Sequence, residues 1–120
     1  MRAFRKIEAW QKGMDLITEI YRLTRRFPRE ELFCLTFQLR KAALRIPSCI
    51  AEGTERDTAA DRRHFLTVAR GSVAEIETQL EAAVRLEYVE LGDLDDVLEL
   101  TDHLGGMLTN LRRNIRDRPL

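Results

Sequence analysis

Few residues of this chain could do chemistry, and the most unusual group lies in "RIPSCIAEGTER", residues 45–56. There Pro47, Glu52 and Gly53 interrupt an otherwise apolar helical pattern. A carboxylate buried in such a segment would have a raised pKa and could serve as a general acid or base. Glu52 has no His, Ser or Cys beside it in a recognisable catalytic arrangement, so the segment reads instead as a kinked helix with a structural polar contact. His64 and His103 are isolated, and neither stands three or four residues from another His or Cys, which argues against a metal site. Gly105-Gly106 lacks the Lys-Ser/Thr that follows in a phosphate-binding loop. Helix-turn-helix signatures, zinc-finger spacing and RNA-binding strand motifs are missing from the sequence. The expectation is a protein that is not an enzyme and uses no cofactor or metal.

With 120 residues the chain fits one domain, 1–120, large enough for its own core. Only 7% of residues are aromatic, while Leu, Ala, Glu and Arg are abundant, which suits a helix-rich protein. No stretch approaches the roughly 18 apolar residues of a membrane span. The charged start, Met1-Arg2-Ala3-Phe4-Arg5-Lys6, leads into no apolar run, so a cytoplasmic protein without a membrane partner is expected. If Cys34 and Cys49 share one helix, a rise of about 1.5 Å per residue separates them by roughly 22 Å. An intrachain disulfide needs Cα atoms within about 7 Å, so both are expected as packed free thiols.

Hydrophobic periodicity predicts four helices. The first spans about 7–27, with one stripe of Trp10, Met14, Ile17, Tyr21 and Thr24 beside another of Gly13, Leu16, Ile20, Leu23 and Phe27. Two adjacent stripes make an apolar face wider than one partner helix requires. Pro28 ends it, because the residue before proline avoids the α region. The second helix spans about 29–53, with Leu32, Leu35, Leu39, Ala42, Ala43, Ile46 and Ile50 facing the core, a kink at Pro47 and Gly53 as C-terminal cap. The third is capped by Thr58 and continues to about residue 86, burying Leu66, Ala69, Val73, Ile76, Leu80, Ala83 and Val84. The fourth is capped by Asp93 and reaches about residue 115. Its inward residues are Leu94, Val97, Leu98, Thr101, Leu104, Leu108, Leu111 and Ile115. Gly105-Gly106 costs this helix about 1 kcal/mol per glycine, which a close helix approach would explain. Short loops make consecutive helices antiparallel neighbours. The predicted fold is therefore all-α, an up-down-up-down four-helix bundle, and the surplus apolar width of the first helix predicts a homo-oligomer.

Two polar lines could meet between the second and third helices. Gln38, Lys41, Arg45, Ser48 and Glu52 recur at 3,4,3,4 spacing, and Gly71, Ser72, Glu75, Gln79 and Ala82 form a small-and-polar line opposite. They read as solvated faces, as a charge-paired seam within the bundle, or as a contact between subunits. Net charge is zero, which does not indicate a globally basic nucleic-acid binder. Charge is nevertheless segregated. The bundle topology gathers Arg2, Arg5, Lys6, Arg56, Arg62, Arg63, Arg112, Arg113, Arg116 and Arg118 at one end, against six carboxylates, for a net of +4. The opposite end holds four arginines against eight carboxylates, a net of −4. The basic end could hold phosphates of RNA or DNA through arginine forks; the alternative is that the arginines closing the fourth helix complement its dipole.

"FRKIEAWQKG", "FPREELFCLTFQLRKAA", "IPSCIAEGTER" and "GSVAEIETQL" occur here in that order. Together they resemble the 23S ribosomal RNA intervening-sequence protein family of small bacterial four-helix bundle proteins, over nearly the whole chain. The matching motif positions include Trp10, Gln38, Arg40, Glu52, Gly53, Gly71, Ser72, Glu75 and Gln79. Arg45 and Cys49 stand where the family usually has serine and asparagine, and Cys34 where it has glycine. The family includes the accessory variability determinant proteins of diversity-generating retroelements. The resemblance implies a ring-shaped homopentamer. It also implies nucleic acid and a partner protein such as a reverse transcriptase, although those accessory proteins look strongly basic and this chain is neutral. The functional expectation is a homo-oligomeric scaffold or adaptor that binds nucleic acid and a partner protein through a basic rim. The alternative is a protein-interaction module with no nucleic-acid role.

Overall fold

Helix formation follows the apolar stripes, and the helix ends follow local hydrogen bonding. The computed structural model describes residues 2–116. After a 3₁₀ turn at Ala3–Lys6 come α1 (Glu8–Thr24), α2 (Leu35–Thr54), α3 (Ala59–Arg85) and α4 (Asp95–Arg113). Further 3₁₀ turns at Arg29–Glu31 and Leu91–Leu94 lead into α2 and α4. No strand occurs among the described residues. Each helix packs on the next, and α4 returns to α1, which closes a four-helix bundle measuring 54 × 24 × 24 Å. Ion pairs and hydrogen bonds tie opposite termini together. Arg2, before α1, meets Glu55, after α2, at 2.6 Å. Arg26, after α1, meets Asp93, before α4, at 3.0 Å.

The core contains Leu16, Ile20, Leu39, Ile46, Ile76, Leu80, Leu104 and Leu108, all fully buried. The two stripes of α1 divide. Gly13, Leu16, Ile20 and Leu23 are buried, whereas Met14 is exposed and Trp10, Ile17 and Tyr21 are only half-buried. The predicted surplus of apolar width is thus present on the surface. α3 begins as expected: the Asp61 N–H donates to Thr58 Oγ1 at 3.1 Å.

Several expectations are corrected. α1 stops at Thr24, because Arg26 and Phe27 bond back to the carbonyls of Leu23 and Thr24 in a tighter turn before Pro28. α2 does not start at Arg29. None of residues 29–34 is buried, so no packing holds them in α geometry, and Leu32 lies outside the core. Gly53 is not a C-cap. It sits inside α2, buried, where a Cβ would stand 3.2 Å from Phe65 Cβ on α3. Asp93 does not cap α4; it accepts the Glu90 N–H at 2.9 Å within the preceding 3₁₀ turn. That backbone donor and the Arg26 guanidinium hold the Asp93 carboxyl below the usual carboxylate range. A lowered folded-state pKa means this pair stabilises the fold above the unfolded-state value and ceases to as pH falls through the folded one. Only Cys49 is a packed thiol, and burial followed by the Glu52 charge pushes its pKa up; Cys34 is exposed.

α2 runs unbroken through Pro47, with residues 48–54 still helical. The ring is buried against α1, where a Cβ on Gly13 would stand 3.2 Å from Pro47 Cδ. Close approach therefore occurs at Gly13 and Gly53. It does not occur at Gly105-Gly106, where nothing lies within 4 Å of an added Cβ. α3 ends in a Schellman motif. Tyr88 N–H bonds to the Ala83 carbonyl and Glu87 N–H to that of Val84, each at 2.9 Å. Glu87 is placed at φ 66°, the left-handed region that glycine adopts freely.

Two substitutions should therefore stabilise the fold. Glu87→Gly relieves the left-handed strain, and Gly106→Ala restores helix propensity at an exposed site, each by about 1 kcal/mol. Urea unfolding checks both; a lower midpoint for either would contradict the corresponding geometry.

Candidate functional site

Three surfaces gather the residues that could bind a partner. The first is the basic end. Ile7, Thr54, Arg62 and Ile115 line one cavity there, so the start of α1, the end of α2, the start of α3 and the end of α4 converge. Carboxylates neutralise two of its cations: Arg2 pairs with Glu55 at 2.6 Å and Arg56 with Glu52 at 3.4 Å. Arg56 also lies over the Phe65 ring at 4.6 Å and Arg5 over Trp10 at 5.4 Å. Arg62 donates to the carbonyls of Arg56 and Asp57, and Arg116 to those of Arg113 and Ile115. Arg112 Nε donates to Thr67 Oγ1 at 2.8 Å, tying α4 to α3. Lys6 and Arg113 are exposed and Arg63 is half-buried. Arg118 lies outside the described residues. Arg5, Lys6, Arg62, Arg63, Arg112, Arg113 and Arg116 form no ion pair among the described residues.

Arg70 was missed. It lines a shallow notch with Thr67, Gly71 and Arg112 on the α3–α4 side, which extends the basic surface away from the end. The signal was present, since Arg63, Thr67 and Arg70 recur at helical spacing on α3.

The second surface is an apolar strip along α2 and α1. Phe33 is 86% exposed and Phe37 48%, and Met14, Leu32 and Leu44 are also exposed. Tyr21, Leu32, Phe33, Phe37, Arg40 and Lys41 line a groove here. A second hollow continues it past Arg40 to Arg25 and Arg29. The third surface is mainly acidic: Asp15 and Glu19 of α1 face Asp96 and Glu99 of α4 across a groove that also holds Lys12, Leu100 and His103, and Glu19 pairs with Arg22 at 2.7 Å.

The polar lines join at a single ion pair, Arg45 to Glu75 at 3.2 Å. Glu52 is exposed and turns to Arg56, just past the end of α2, at 3.4 Å. Gln38 and Gly71 are exposed, and Gly53 packs on Phe65. Ser72 Oγ and Gln79 Oε1 are buried and have no hydrogen-bond partner among the described residues. Arg40 reaches α1 instead, donating to Thr24 Oγ1 at 2.9 Å and lying 4.4 Å above the Tyr21 ring. Among the described residues there is no group of three side chains that could hold a metal, and no helix is long and apolar enough to cross a membrane.

The family of 23S rRNA-intervening sequence proteins matches residues 5–110. The chain belongs to this family. A crystal structure described as a protein of unknown function from the S23 ribosomal protein family of Bacteroides thetaiotaomicron VPI-5482 has a similar fold, with a TM-score of 0.80. The likeness covers 88% of this chain and 99% of that one at 20% identity, and so shows the fold alone. No curated protein matches the chain. Within this 23S rRNA-intervening sequence fold, Arg40 links α2 to α1 through two contacts that lysine cannot reproduce together.

Arg40→Lys should lower stability by about 1–2 kcal/mol, because it removes a hydrogen bond to a buried hydroxyl and a stacked cation. Chemical denaturation measures it; an unchanged midpoint would show that the contact contributes nothing.

Proposed function

We propose that the protein is a non-enzymatic homo-oligomeric scaffold of the bacterial cytoplasm, with a basic rim that binds RNA or DNA and a surface for a partner protein. The observation that carries this reading is the strip of Phe33, Phe37, Leu32 and Leu44 that lines one groove and is left in solvent. Contiguous exposed apolar area marks an interaction site. Cations Arg25, Arg29, Arg40 and Lys41 border the strip, whereas the α1–α4 groove carries Asp15, Glu19, Asp96 and Glu99 against the single cation Lys12. The two surfaces have opposite charge and lie on different sides of one bundle. Copies joined strip to groove make heterologous contacts, which close into rings when the rotation allows. The family resemblance supports a ring of five. Parallel subunits in such a ring would bring their basic ends to one rim, where guanidinium groups without a carboxylate partner among the described residues can hold phosphate.

A second reading, a protein-interaction module without nucleic acid, is favoured by the pairing of Arg2 and Arg56 with carboxylates and by the zero net charge. The two readings share the assembly and differ only at the basic end.

Assembly is tested by complementation. Phe33→Glu/Phe37→Glu disables the strip, and Glu19→Arg/Glu99→Arg disables the groove. Light scattering should show an oligomer for the wild type and monomers for each variant. An equimolar mixture of the two variants should form heterodimers and nothing larger, because each retains one working face. A monomeric wild type at micromolar concentration sinks the proposal.

Nucleic-acid binding is tested by titrating RNA and DNA against the wild type and Arg112→Glu/Arg113→Glu/Arg116→Glu at several salt concentrations. Affinity should fall with salt, and the log–log slope should shrink by about 0.7–0.9 for each phosphate contact removed. If the wild type shows no salt-dependent binding at low ionic strength, the module reading replaces the rim.

A further inference from the structure

Where the four helix termini converge, they enclose a cavity of about 150 Å³ walled by Ile7, Ile50, Leu66, Leu111 and Ile115. Apolar hollows of roughly this size accept small hydrophobic guests. Gly53 contributes bare backbone to the wall, and its lack of a side chain lets α2 lie against Phe65 beside the cavity.

Among the described residues, one charged side chain lines this space, Arg62. Its Nη1 donates to the carbonyl oxygens of Arg56 at 3.0 Å and Asp57 at 3.2 Å. Both acceptors are neutral, and no carboxylate pairs with Arg62 among the described residues. The guanidinium is therefore held in place, with no carboxylate paired to it among the described residues, next to an apolar hollow. A guanidinium in that state attracts a carboxylate and offers it two parallel donors.

We propose that the cavity is a binding site for a linear medium-chain carboxylate, with the aliphatic tail among the isoleucines and leucines and the carboxylate on Arg62. A neutral guest would leave the cation unused. A nucleic acid has no aliphatic tail to fill the hollow. The site lies at the bundle end, away from the apolar strip and the acidic groove, so it stands whether or not the chain assembles and whether or not the rim binds RNA.

Isothermal titration of the full chain with butanoate, hexanoate, octanoate and 1-hexanol tests this. Affinity should rise by about fourfold per added methylene until the cavity is full, and then level off. Hexanoate should bind more tightly than 1-hexanol. Arg62→Gln should weaken hexanoate several-fold and leave 1-hexanol unchanged. Ile7→Phe and Leu111→Phe, which place a ring in the cavity from the α1 and α4 walls, should each abolish binding of both; circular dichroism shows which of them folds, and one folded variant suffices. Absence of binding by hexanoate and octanoate overturns the proposal. So does equal affinity for hexanoate and 1-hexanol. Binding that persists in a folded ring variant assigns the ligand to another surface, such as the Phe33–Phe37 strip, and overturns it as well.

Discussion

Two contacts made by α2 set the arrangement on which everything else depends. Gly13 lets α1 approach the Pro47 ring, and Gly53 lets α2 approach Phe65 on α3. A Cβ at either glycine would stand 3.2 Å from its neighbour, tighter than packed interiors accept without rearrangement. Close approach at these points brings Leu39, Ala43, Ile46 and Ile50 into the core. It also rotates the opposite edge of α2 outward, so Phe33, Phe37 and Leu44 cannot be buried by the chain itself. The core and the unpartnered strip have the same cause. Segment 45–56 thus combines a proline, a glycine and a carboxylate because one helix meets two neighbours there and then ends.

Charge is organised by the same topology. A chain with no net charge becomes basic at one end and acidic along one groove, because antiparallel helices gather residues that are distant in sequence. Some of the basic end is spent on local structure. Arg2 and Arg56 meet carboxylates, while Arg62 and Arg116 satisfy backbone carbonyls at helix ends. Exposed ion pairs of this kind contribute only about 0–1 kcal/mol. Their larger effect is on the surface potential, which they lower at these positions and leave positive around Lys6, Arg63, Arg70 and Arg113. The surface that could meet phosphate is therefore displaced toward the α3–α4 side, where Arg70 and Arg112 share a notch without a carboxylate.

The number of helices, their apolar faces and the N-cap at Thr58 were legible in the sequence, because a 3.6-residue period and a capping hydroxyl are local properties. The excess width of α1 was legible for the same reason: Met14 and Tyr21 lie on a stripe that one partner helix does not cover. The basic end could be listed from connectivity alone, once short loops imposed antiparallel neighbours. Arg70 escaped the list because it sits about two helical turns further along α3 than Arg62 and Arg63, the loop-proximal residues used to define that end.

What the tertiary structure decided was how each special residue is used. Sequence established that Gly53 and Gly105-Gly106 were glycines in helical segments, but a glycine can signal a cap, a close approach or neither. Only packing shows that Gly53 meets Phe65 and that the other two meet nothing. Leu32 has the same local period as Leu39, yet it is exposed because the chain around it turns before α2 begins. Arg40 was legible only as a family motif position; that it serves α1 was not, since side-chain reach over a helix shoulder depends on the neighbour's position. Periodicity reports which face of a helix is apolar. Which partner that face meets, and how closely, depends on contacts between residues far apart in the chain, and those exist only once the four helices have packed.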